Sequence, residues 1–242
     1  LSRRQRQMCI RDSHYTNKVK EFAKATHQPK YYYFAWANRL VTYYLKTSRT
    51  NIALYEVQNM LKEAQKEDDK TGLSRCYNIM SQIYTIKRFD SMAFEWRLKE
   101  IELTEKYNIE NYNISQTYAQ IANYYISQKK QKEALRAVEK AISTANSSTQ
   151  QISAKLEYVN YYSKFGDFQA AEKILKECQI AFEQDKRLES IKKRLYNIEC
   201  LYYQQTRQYQ KALEAAEMQE KEEHRLSESI LSSSHYLSLI HI

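Results

Sequence analysis

The chain has 242 residues and a formal net charge of +9, with 28% charged residues but only two Gly and one Pro. That scarcity of turn formers leaves little material for a β fold. No apolar run approaches the ~18 residues a membrane helix needs, so this portion is expected not to be membrane-embedded. The stock of Ala, Leu, Ile, Glu, Lys, Gln and Tyr argues for an all-α protein.

The ends read differently from the middle. Arg3 to Ser13, RRQRQMCIRDS, back-translates to a transposon-type sequencing adapter, and LSLIHI at 237–242 to the reverse complement of its inner end. Residues 1–13 and 237–242 are therefore expected to be read-through and are set aside from fold reasoning. On this reading the native chain is a fragment open at both ends. A full-length protein would have room for a membrane span elsewhere, and the compartment, cytoplasmic or periplasmic, stays undetermined. Without Arg3, Arg4, Arg6, Arg11 and Asp12 the formal charge falls from +9 to +6.

Residues 14–28 are a polar lead-in, expected to be a frayed or truncated helix. From 29 to 231 the chain alternates apolar-periodic stretches with short polar breaks. Helix–turn–helix units are expected at about 30–68, 70–107, 110–147, 150–185 and 187–231, with 232–236 as the end of the native sequence. Asp68 to Gly72 and Ser147 to Thr149 read as turns between units. Gly166-Asp167 reads as a helix C-cap followed by a turn. The last helix, KALEAAEMQEKEEHRLSESIL, outruns its unit.

The clearest unit is Thr117 to Ala141. Tyr118, Ile121, Ala122 and Tyr125 share one helix face, and Ala134, Val138 and Ala141 share a face of the next helix. Small residues at 122 and 134 let two backbones approach. Residues equivalent to Ala134 fall at Ala53, Met92, Ala171 and Ala212, in steps of 39, 42, 37 and 41 residues. Nine residues before each anchor stand Tyr44, Ile83, Tyr125, Tyr162 and Tyr203, and an aromatic (Phe89, Phe168, Tyr209) leads the second helix of three units.

This pattern resembles the tetratricopeptide repeat (TPR), and in particular the TPR arrays of bacterial signalling proteins such as sensor kinases and transcriptional regulators. The steps exceed the repeat's usual ~34 residues, and the Pro that often closes its second helix is missing. The resemblance implies a right-handed α-solenoid of about five repeats with a long C-terminal helix. It also implies a non-enzymatic scaffold or sensor that binds a peptide or helix in a concave groove lined by the first helix of each repeat.

On this sequence the implied groove slots fall on Asn38, Tyr77 and Asn197, on Thr42, Ser81, Asn123 and Asn160, and on Gln204, with Arg194 and Lys164 beside them. Asn amides both donate and accept, which suits a peptide backbone. Arg194 and Lys164 suit a carboxylate. The expected partner is a protein or peptide. The alternative is an RNA-binding helical repeat, favoured by the +6 charge and the Tyr content. No specific nucleic acid is expected, because Lys129, Lys130, Lys132, Lys192 and Lys193 are interspersed with acids and form no stripe on the first helices.

No catalytic, metal or cofactor site is expected. The His residues are scattered, and Glu222-Glu223-His224 lacks the spacing that puts two His on one helix face. Gly72 and Gly166 alone cannot make a phosphate loop. Cys76, Cys178 and Cys200 lack CxxC pairing and read as buried thiols.

Overall fold

The computed structural model describes residues 17–39, 44–45 and 47–239. Residues 1–13 and 240–242 of the adapter-like ends, and Thr42, lie outside the described residues. All regular structure among the described residues is helical. The elements are α1 (17–25), α2 (Pro29–Arg39), α3 (Thr50–Lys66), α4 (Lys70–Ile86), α5 (Asp90–Tyr107), α6 (Ile114–Ser127), α7 (Gln131–Ser143), α8 (Ser148–Phe165) and α9 (Phe168–Gln184). A 3₁₀ turn at Lys186–Ile191 leads into α10 (Lys192–Gln205) and α11 (Tyr209–Leu239). No helix searched among the described residues is long and apolar enough to cross a membrane.

The backbone repeats more faithfully than the sequence. Each second helix begins three residues before a fully or nearly buried Ala: Ala53, Ala93, Ala134, Ala171 and Ala212. Nine residues before each of these is a Tyr whose carbonyl accepts from the residue five positions on. The pairs are Arg49 to Tyr44 (2.7 Å), Phe89 to Tyr84 (2.9 Å), Lys130 to Tyr125 (2.9 Å), Asp167 to Tyr162 (3.0 Å) and Gln208 to Tyr203 (2.8 Å). The residue just before the donor has positive φ in every case: Ser48, Arg88, Lys129, Gly166 and Arg207. This is a helix C-cap of the Schellman kind, which satisfies carbonyls that the helix end leaves without donors.

The second unit's anchor is therefore Ala93 and not Met92. Ala93 is fully buried and Met92 is 40% exposed. The slip came from Phe89, which precedes α5, whereas Phe168 and Tyr209 are the first residues of α9 and α11. With the register corrected, Tyr84 replaces Ile83 and all five units carry Tyr at that place. Gly72 is also not in a turn. It lies in the first turn of α4, where its N–H donates to the Asp69 side chain at 2.6 Å, an N-cap.

The chain divides into two compact units, residues 1–111 and 112–242. The first is built on Tyr33, Val57, Met60, Ile79 and Ile83. The described part of the polar lead-in, from residue 17 on, joins this core: Ala23 is buried, and Lys20 lies 3.8 Å from the ring centroid of Trp36. The second is built on Leu156, Val159, Ala171, Leu175, Cys178, Leu195 and Ile198. Each large apolar side chain so buried contributes roughly 1.5–3 kcal/mol.

Candidate functional site

In the second unit α6, α8 and α10 lie side by side, with α7, α9 and α11 packed on them. Asn123, Asn160, Arg194 and Asn197 line one cleft of about 500 Å³, whose far wall carries Gln219 and Leu226 of α11. These four are the predicted groove residues that the fold brings together. Asn160 Nδ2 donates to Asn123 Oδ1 at 2.6 Å, an amide link between α8 and α6. Lys193 pairs with Glu223 at 2.9 Å, fixing α10 to α11 at the rim. Ile198 and Leu201 give the floor an apolar patch.

Glu157 also lines this cleft, and nothing in the sequence marked it. It is 1% exposed, and its Oε1 accepts from Arg194 Nη2. Among the described residues its Oε2 has no hydrogen-bond partner. Leaving a buried acceptor unmade costs roughly 1–3 kcal/mol, and more when it is charged. Arg194 is thus not the free carboxylate ligand expected from its position: one of its amino groups already neutralises a buried acid of the same unit. No repeat spacing announces the pair: Glu157 and Arg194 are 37 residues apart, whereas the anchors of their two units, Ala171 and Ala212, are 41 apart.

The other predicted residues lie elsewhere. Lys164 and Gln204 are exposed outside the cleft, and Gln204 Nε2 donates to Cys200 Sγ at 3.3 Å. In the first unit Asn38 is exposed. Tyr77 is half-buried with its ring 5.4 Å from that of Trp96. Ser81 is buried, and its hydroxyl donates to the Asn78 carbonyl at 2.7 Å. The one-residue register correction moves these two slots to Asn78 and Gln82. Gln82 Nε2 donates to Asn78 Oδ1 at 2.7 Å, and Asn78 Nδ2 donates to the buried Glu100 at 3.2 Å.

Burial pushes the Cys76 and Cys178 thiols up to about 12, which makes them inert as nucleophiles. Cys200 is only half-buried, not the core thiol its position suggested. Among the described residues no group of three His, Cys, Asp or Glu side chains could hold a metal ion.

No family model matches the chain, and no curated protein does. Solved structures do. BtubC (BKLC) from P. vanneervenii superposes with a TM-score of 0.68 at 13% identity, over 93% of this chain and 93% of that one. A putative kinesin light chain of Podosopora anserina, with nearly identical TPR-like repeats, gives 0.54 at 14% identity, over 78% of this chain and 94% of that one. A single-substitution variant of that kinesin light chain gives 0.55 at 14% identity, over 79% and 95%. At these identities the likeness is one of fold, and this chain has the all-α helical repeat fold of the TPR-like proteins.

Proposed function

We propose that the chain is a non-enzymatic interaction scaffold whose second unit holds an extended peptide in the cleft between α6, α8, α10 and α11. The observation that carries this is the convergence of Asn123, Asn160, Arg194 and Asn197 on one open cleft with an apolar floor. A few polar groups over apolar surface are what orient a ligand in such sites. The resemblance to TPR arrays, and the continuation of the last repeat into the long helix α11, support reading the scaffold as part of a larger bacterial signalling or regulatory protein.

Selection of a displayed random 12-residue peptide library on the whole chain tests the binding half. Asn197 is exposed and lines the cleft, so Asn197→Trp fills it without entering the core. Selected peptides should bind the native chain at low and high salt and lose binding to this variant. Peptides that bind the variant unchanged would place the ligand elsewhere. A labelled RNA that binds more tightly, with affinity falling steeply as salt rises, would replace the peptide reading by the nucleic-acid one. Sequencing the same locus beyond both ends tests the other half: a kinase or DNA-binding domain in frame supports a signalling role, and an isolated scaffold opposes it.

A further inference from the structure

Glu157 and Arg194 lie side by side at the cleft, Glu157 almost wholly buried beneath its lining and Arg194 partly open to it. Glu157, 1% exposed, has an Oε2 that no described residue satisfies. Arg194, with 23% of its side chain exposed, uses one Nη2 on Glu157. Arg194 also lines a smaller neighbouring pocket of about 120 Å³ beside Ser115, Gln116 and Ser153. A hydrogen-bond acceptor without a donor thus lies against a guanidinium that has five donors in all.

The charges around the cleft cancel. Glu157 balances Arg194, Glu223 balances Lys193, and Glu222 balances Arg225 at 2.8 Å. The remaining polar lining is rich in carboxamides: Gln120, Asn123, Asn160, Asn197 and Gln219. A ligand carboxylate on the remaining donors of Arg194 would set a second negative charge beside the buried Glu157, and like charges at close range are unfavourable. A ligand ammonium at Oε2 would meet the like charge of Arg194 at close range. A neutral group that both donates and accepts disturbs neither balance.

The geometry points to an uncharged carboxamide as the group this cleft reads: the side chain of a Gln or Asn in an extended partner peptide, its N–H donating to Glu157 Oε2 and its C=O accepting from Arg194. The inference rests on the peptide reading above and gives it a chemistry. The carboxamides of the lining pair with the peptide units on either side, each offering a donor and an acceptor.

The test uses three fluorescein-labelled peptides, (Ser-Gln)6, (Ser-Glu)6 and (Ser-Lys)6, titrated with the whole chain by fluorescence anisotropy at 50 and 500 mM NaCl. The Gln peptide should bind most tightly, with a Kd that changes less than about twofold between the two salts, since no net charge is neutralised. Glu157→Gln should weaken it about tenfold or more, because an acceptor bond to a carboxylate is lost. Far-UV circular dichroism checks that this variant is folded. Asn197→Trp, which leaves the Glu157–Arg194 pair intact, should abolish binding and serves if Glu157→Gln does not fold.

Tighter binding of the Glu or the Lys peptide, lost on Asn197→Trp, would overturn the carboxamide inference while keeping the cleft as a peptide site. Binding of the Gln peptide that is indifferent to a folded Glu157→Gln, or to Asn197→Trp, would also overturn it. If none of the three binds while the displayed library yields cleft-dependent peptides, the inference alone fails. If the library yields none either, the peptide reading fails with it.

Discussion

A Cβ on Gly72 would lie 2.8 Å from two carbons of the Tyr33 ring. Tyr33 is fully buried, and its hydroxyl donates to Glu67 Oε2 at 3.1 Å, so the ring cannot swing aside. Gly72→Ala adds helix propensity worth ~0.5–1 kcal/mol, but overpacking a core costs ~1–3 kcal/mol. The variant should be less stable, with a lower urea midpoint; a rise would show that α2 and α4 can separate. The inter-helix caps give the opposite test. Gly166 has φ +91° and, its chain neighbours aside, no described atom within 4 Å of its would-be Cβ, so Gly166→Ala costs backbone energy alone, ~1 kcal/mol. Lys129 occupies the equivalent place at φ 57° and is exposed, so Lys129→Gly should gain ~0.5 kcal/mol. Urea midpoints that shift in opposite directions would establish that the caps are equivalent. Only Gly166 announced this conformation in the sequence, because the other four caps place Ser, Arg, Lys and Arg where a glycine is usual.

At the scale of the helix, the repeating pattern was legible because side chains of one face recur every three or four residues regardless of what they touch. The phase was less so. Phe89 resembles Phe168 and Tyr209, yet it is the residue before α5 while they open their helices, and one residue of slip exchanges a buried face for an exposed one. The correction has a direct test. Ala93→Glu buries an unpaired charge at a fully buried position and should cost more than ~3 kcal/mol, whereas Met92→Glu at an exposed one should stay within ~0.5 kcal/mol. Equal losses would restore the uncorrected register. A second link between elements is titratable. Asp185 caps the 3₁₀ turn by accepting from the Arg187 N–H (3.0 Å) and is held by the Arg187 guanidinium and by Ser148 of α8 (3.2 Å). The side-chain bond from Arg187 leads in bringing its carboxyl down to about 2 from an ordinary 3.8. A carboxyl depressed in the fold stabilises it above the unfolded value, and that contribution disappears as pH falls from about 4 to about 2. Asp185→Asn should therefore be less stable than the native chain at pH 6 and lose less on going to pH 2.5, read as melting temperatures; parallel pH profiles would assign the acid sensitivity to other carboxylates.

Across the whole molecule, fold class followed from what the sequence lacks, since two Gly and one Pro cannot supply the turns of a sheet protein. The candidate site was half legible. Periodicity put Asn123, Asn160, Arg194 and Asn197 on corresponding faces of α6, α8 and α10. Glu157 stayed hidden because a Glu on a polar helix looks solvated until its partner one repeat away is known. The interactions described at the cleft, Asn160–Asn123, Arg194–Glu157 and Lys193–Glu223, close within residues 112–242. The apolar core under it, from Leu156 to Tyr202, likewise draws only on that unit. Repeat units are stabilised by their neighbours, and about three are needed for a stable stack. Residues 112–242 hold three helix pairs, α6–α7, α8–α9 and α10–α11, whereas residues 1–111 hold two preceded by α1. A chain starting at Tyr112 should accordingly melt cooperatively by far-UV circular dichroism and bind the same selected peptides as the whole chain within about threefold. A chain ending at Asn111 should melt at lower temperature and bind none of them. If the longer piece fails to fold alone, the stability of the cleft depends on residues before Tyr112, and its reading as a self-contained site falls; if the shorter piece binds, the ligand surface lies around Asn38 and Asn78 instead.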